Sequence, residues 1–93
     1  MSNDKEFASV WEALADTPEE AANLRVRSEI MQQIADIVGS SGWTQSQAAA
    51  HCGLTQPRMN DLLSGRISKF SLDALVNVAT ALGRRVNIVL DAA

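Results

Sequence analysis

Ninety-three residues with eleven carboxylates against eight Lys and Arg, a net charge of -3, make one domain with a small core, near the size at which a second subunit adds useful stability. No apolar run approaches the roughly eighteen residues needed to cross a bilayer, and the opening MSNDKEF lacks a signal peptide's apolar segment, so a cytoplasmic protein without membrane partners is expected. A lone Cys52 can neither staple the fold nor supply a metal-ligand set, and reads as a small buried apolar residue.

Phe7, Val10, Trp11 and Leu14 stand at i, i+3, i+4 and i+7 and predict a short amphipathic helix that stops near Asp16. On this peripheral, acidic segment Trp11, with Phe7 beside it, is either a lid on the core or an anchor for a partner protein. Thr17, Pro18 and Glu20 then combine a cap, a proline at the first helical position and a glutamate three residues after the cap. The helix they open is expected to run to about Val38, with Leu24, Ile30, Met31, Ile34, Ile37 and Val38 on its inner side, before a break from Gly39 to Gly42.

The stretch 43–66, WTQSQAAAHCGLTQPRMNDLLSGR, reads as two short helices over a glycine turn. Thr44 and Gln47 form a Thr-x-x-Gln capping box, and Ala48, Ala49 and Ala50 give a strong helix former that lets a neighbour approach closely. Gly53 can take the left-handed conformation that ends a helix, and Thr55 caps again with Pro57 in the first turn. Met59, Leu62 and Leu63 form an apolar stripe opposite Gln56, Arg58, Asn60 and Asp61, and Ser64 and Gly65 close the helix. The first turn lacks the usual carboxylates, which leaves its positive end free for phosphate, and Arg66 and Lys69 follow directly. The same periodicity also suits an ordinary helical hairpin with a solvated polar face. Trp43 is expected where the long helix meets this motif, and His51 at the surface or as a cap.

Phe70 and Leu75 bracket a Ser71 cap as a hydrophobic staple, and Leu72, Leu75, Val78, Ala79 and Leu82 make a last helix stopped by Gly83. Beyond it Val86, Ile88 and Leu90 alternate with Arg85, Asn87 and Val89, the period of a strand. A lone strand has no ladder partner in a helical domain. It either pairs with its copy across a two-fold axis or lies back on its own helices. Charge is polarised along the chain: residues 1–42 hold eight acidic and three basic side chains, net -5, and residues 43–93 hold three acidic and five basic, net +2. The second half carries the modest electrostatic footprint of a nucleic-acid binder, and the first would face away from phosphate.

TQSQAA, GLTQPRMNDLLSGR and FSLDALVNVATALGRRV together resemble the Xre/Cro-type helix-turn-helix proteins, and within them a subgroup similar to HigA-type antitoxins of bacterial toxin–antitoxin operons. The resemblance implies an all-α, five-helix domain that represses its own promoter as a dimer and, in the antitoxin branch, neutralises a toxin encoded beside it. By position it implies that Thr44 and Gln45 contact phosphate, and that Gln56, Pro57, Arg58, Asn60 and Asp61 face the major groove. Arg58 suits guanine, Gln56 suits adenine, and Pro57 offers only apolar contact. Asp61 either accepts from cytosine or orients Arg58 or Arg66, while Arg66, Ser68 and Lys69 would hold the backbone.

The chain is thus expected to divide into a peripheral helix (1–16), a helix-turn-helix domain (17–83, motif 43–66) and a C-terminal dimerisation strand and tail (84–93) formed by Val86, Ile88 and Leu90. Its expected partners are double-stranded operator DNA, a second copy of itself and a small basic toxin protein. The alternatives are a stand-alone or phage-type regulator without a toxin, and a protein-interaction inhibitor with a vestigial motif. No acid–base pair, metal-ligand spacing or phosphate-binding glycine loop points to catalysis, a metal or a cofactor.

Overall fold

The structure, a computed structural model, describes residues 15–92. Among them α1 (Pro18–Ser41), α2 (Gln45–Cys52), α3 (Gln56–Leu63), a 3-10 turn (Ile67–Lys69) and α4 (Leu72–Ala81) follow in order. The helix expected over 7–14, with Phe7 and Trp11, lies outside the described residues, so four α-helices stand where five were expected.

Each helix starts where a hydroxyl can satisfy an early amide. Glu20 N donates to Thr17 Oγ1 at 3.1 Å, Gln47 N to Thr44 Oγ1 at 3.2 Å, Arg58 N to Thr55 Oγ1 at 3.3 Å and Ala74 N to Ser71 Oγ at 3.1 Å. At α2 the box closes, because Thr44 N also donates to Gln47 Oε1 at 2.9 Å. At α1 it is skewed by one residue: the Glu20 carboxylate accepts from Asp16 N at 3.3 Å rather than from the cap.

The expected break at Gly39 is not where α1 ends. An isolated glycine costs a helix only about 1 kcal/mol relative to alanine, and α1 continues through it to Ser41. The chain leaves the helix at Gly42, whose φ of 78° is left-handed. Ser41 Oγ fastens this exit by donating to Val38 O at 2.6 Å and accepting from Trp43 N at 3.0 Å.

Between α2 and α3 the turn is made by Gly53 at φ 69°, with Gly53 N donating to Ala50 O at 3.2 Å and Leu54 N to Ala49 O at 2.9 Å. The paired bonds satisfy carbonyls that the helix end would leave unpartnered. α2 packs on α3 and α4, and α1 packs on α3, α4 and the 3-10 turn. One core results, built from Met31, Ile34 and Val38 of α1, Ala48, Ala49 and Cys52 of α2, Met59 and Leu62 of α3, then Phe70, Leu75 and Val78. The two alanines of α2 are buried side chains of one carbon, which permits that close approach.

Six expected core positions are not fully buried: Leu63, and the half-buried Leu24, Ile30, Ile37, Leu72 and Leu82. Leu63 is 40% exposed, because Met59 and Leu62 already direct the α3 stripe inward and Leu63 falls at its edge. Ile30 and Ile37 of α1 are only half-buried and lie along a groove of about 860 Å³ between α1, α4 and the tail.

The tail forms no strand among the described residues: after Gly83, residues 84–92 are neither helical nor paired. A strand is defined by its ladder, and one chain supplies only one side of it. Ile88, Val89 and Leu90 are left 71%, 79% and 93% exposed, while residues 83–89 form one wall of the groove over α1 and α4.

Candidate nucleic-acid interface

Gln56 and Pro57 open α3 and are exposed, with no acidic residue in its first turn. Pro57 has no N–H and Arg58 N is taken by Thr55 Oγ1, so what this start offers an anion is Gln56 N and a positive helix end with no competing carboxylate. One turn further, Asn60 is exposed beside a cleft of about 470 Å³ that α3 shares with Gln45 of α2 and with the end of α1. Thr44 and Gln45 are both exposed at the start of α2, and Thr44 spends its acceptor capacity on the cap.

Arg58 is half-buried and engaged inside the molecule. Its Nη1 donates to Lys69 O at 2.7 Å, and its guanidinium carbon lies 4.2 Å from the centre of the Phe70 ring. Such stacking on a ring face is a favourable cation–π geometry. Arg58 thus ties α3 to the 3-10 turn.

Asp61 is paired with Arg66, Oδ1 accepting from Nη1 at 2.7 Å, with the two side chains 18% and 55% exposed. Arg66 N also donates to Asp61 O at 3.0 Å. The carboxylate expected either to accept from cytosine or to orient an arginine is thus in contact with Arg66. With Arg66 largely in solvent, such a pair contributes about 0.2–1 kcal/mol. Ser68 and Lys69 are exposed on the 3-10 turn, whose backbone closes through Lys69 N to Arg66 O at 3.0 Å.

Gln45, Gln56, Pro57, Asn60, Arg66, Ser68 and Lys69 are thus all exposed on the α2–α3 motif and the turn after it. Trp43 is packed against the core at the junction of α1 and α2, and it stacks on exposed His51 with ring centres 3.9 Å apart and planes 11° apart. Burial pushes the Cys52 thiol pKa up, which keeps it protonated and suits an apolar filler. No helix among the described residues is long and apolar enough to cross a membrane.

Sequence reasoning missed Arg27 of α1. Its Nη1 donates to Phe70 O at 3.0 Å and to Ile67 O at 3.3 Å, forty or more residues along the chain. The signal was present: Arg27 falls in the inner stripe between Leu24 and Met31, where spacing calls for an apolar residue.

Compared with known protein families, residues 13–91 match the one described as a helix-turn-helix domain. No curated protein matches the chain.

Proposed function

The chain belongs to the helix-turn-helix domain family, and from that premise we propose that it is a non-catalytic, sequence-specific DNA-binding repressor acting as a homodimer. The observation that carries this reading is the exposed, carboxylate-free start of α3, in a motif whose exposed side chains include Gln45, Arg66 and Lys69. α3 enters the major groove and presents Gln56, Pro57 and Asn60, with Arg58 joining them when it leaves the Lys69 carbonyl. Gln45, Arg66, Ser68 and Lys69 hold the backbone on either side. Two such helices about one DNA turn apart occupy a palindromic operator and exclude polymerase.

Selection from a pool of random duplexes tests the reading. The expected result is an enriched site with two related half-sites about 10 bp apart, centre to centre. A pool that shows no enrichment would contradict it.

The slight positive charge of residues 43–93 supports the dimer, because few cations per subunit give weak binding alone. The three consecutive exposed apolar side chains of the tail supply a surface for it. Pairing of Val86, Ile88 and Leu90 with the same segment of a second copy completes the ladder and brings Ile88 and Leu90 beside their counterparts on one face. Ile88→Pro removes a ladder donor. Light scattering should then report the mass of one chain where the parent protein gives two; an unchanged mass would sink the paired tail.

We further propose that the repressor is an antitoxin. The resemblance supports this, as do the exposed carboxylates Glu19, Glu20, Glu29 and Asp36 of α1, turned to solvent where a basic protein could meet them. A small basic protein encoded beside this chain, co-purifying with it and inhibited by it, is the expected finding. Its absence would leave a stand-alone regulator.

A further inference from the structure

We infer that Arg27, on a helix outside the motif, is the positioning residue of the phosphate-contacting turn. The inference rests on the DNA-binding reading above and adds to it how Arg66 and Lys69 are held in place.

Apolar packing seats the turn through buried Phe70 and half-buried Ile67, but it leaves the exposed backbone that carries Arg66 and Lys69 to be fixed by polar contacts. Arg66, Ser68 and Lys69 are exposed, Ile67 is half-buried, and Phe70 alone is fully buried. Its backbone bonds are local: Arg66 N to Asp61 O, Ile67 N to Gly65 O, Lys69 N to Arg66 O and Phe70 N to Ile67 O. Two guanidiniums reach it from elsewhere. Arg58 takes the Lys69 carbonyl from α3, and Arg27 takes the Ile67 and Phe70 carbonyls from α1. The first moves with the recognition helix, whereas the second ties the turn to the longest helix of the core.

Stability does not account for a cation at this position. Arg27 Nε is buried with no hydrogen-bond partner, and an apolar side chain of similar length often serves a buried site as well as a charged one does. What an apolar side chain lacks is a donor to two carbonyls. Together with the Arg58 bond to Lys69 O and the Asp61–Arg66 pair, those two bonds set where the Arg66 and Lys69 cations stand relative to the core, and hence whether α3 and the turn meet one DNA backbone together.

Arg27→Met keeps length and removes the donors; Arg27→Lys keeps the charge. Each is made in the parent protein and in an Arg66→Ala/Lys69→Ala background, and binding to a short random-sequence duplex is measured between about 50 and 200 mM salt. In the parent, Arg27→Met should weaken binding several-fold and flatten the slope of log Kd against log salt by about 0.9, the equivalent of one phosphate contact. In the Arg66→Ala/Lys69→Ala background it should change little, because the groups it positions are gone. Amide exchange at Lys69 and Phe70 should quicken while Leu75 and Val78 exchange as before.

Equal loss in both backgrounds would overturn the inference, since it would make Arg27 a distant charge. So would unaltered exchange at the turn, or full recovery of binding by Arg27→Lys with the turn still exchanging fast. A parent protein that binds no DNA overturns the DNA reading itself, and the role of Arg27 with it. A parent that binds, with Arg27→Met indistinguishable from it, overturns the role of Arg27 alone.

Discussion

Phe70→Ala is expected to destabilise the protein by about 3–5 kcal/mol, the usual cost of emptying a fully buried aromatic site. Phe70 is 1% exposed and is among the largest fully buried side chains of the described residues. It is the residue before the Ser71 cap, so it staples the entry of α4 together with the buried Leu75. Its ring also lies beneath the Arg58 guanidinium and its carbonyl accepts from Arg27. A domain of this length has only about 5–14 kcal/mol of stability in total. The midpoint of thermal unfolding should therefore fall by about 12–40 °C, taking 4–8 °C per kcal/mol for a domain of this size. A fall of only a few degrees would mean that the Phe70 site collapses or is not central to the core.

Arg58→Ala should abolish preference at one base pair of the selected site, and it should also cost the fold up to about 2–4 kcal/mol, so binding is compared at a temperature where the variant is folded. In the free protein the Arg58 guanidinium has a charge-assisted bond to Lys69 O, worth about 1.5–3 kcal/mol, and a ring contact worth about 0.5–1 kcal/mol at a partly exposed position. A bidentate contact to guanine gives about 1–3 kcal/mol of discrimination. The two are of similar size, so reading a base requires exchanging one set of bonds for the other. The discrimination that remains should be near the low end of that range, about tenfold against the wrong base. Affinities for the selected duplex and for single-base variants of it check this. Equal weakening on selected and random DNA would reject base reading and leave Arg58 as the tie between α3 and the turn.

Features fixed by neighbouring residues were legible in the sequence. The caps at Thr17, Thr44, Thr55 and Ser71 and the turn at Gly53 follow from groups three or four residues apart, and each stands as the sequence indicates. Gly39 was misleading because a glycine weakens a helix without obliging it to end, and the left-handed residue is Gly42. Exposure of the motif face was legible for the same reason as the core: Met59 and Leu62 turn inward and so leave Gln56 and Asn60 outside.

Contacts between distant residues were not legible. Arg58 meets Lys69 across eleven residues, and Arg27 meets Phe70 across forty-three. No periodicity encodes such pairs, although a cation in an apolar stripe marks a place where one is needed. The tail shows the opposite limit. Its alternating pattern is that of a strand, yet strand formation depends on a second segment that the chain alone does not provide.

The central claim is that the α2–α3 motif and the turn after it form the DNA-binding surface. Backbone amide shifts of the isotopically labelled protein, followed as the selected duplex is added, test it most directly. The account predicts shifts concentrated at residues 44–47, 56, 58–61 and 66–69, with the exposed carboxylate residues Glu19, Glu20, Glu29 and Asp36 of α1 unaffected. Shifts centred on those residues of α1, or none at any residue, would contradict it.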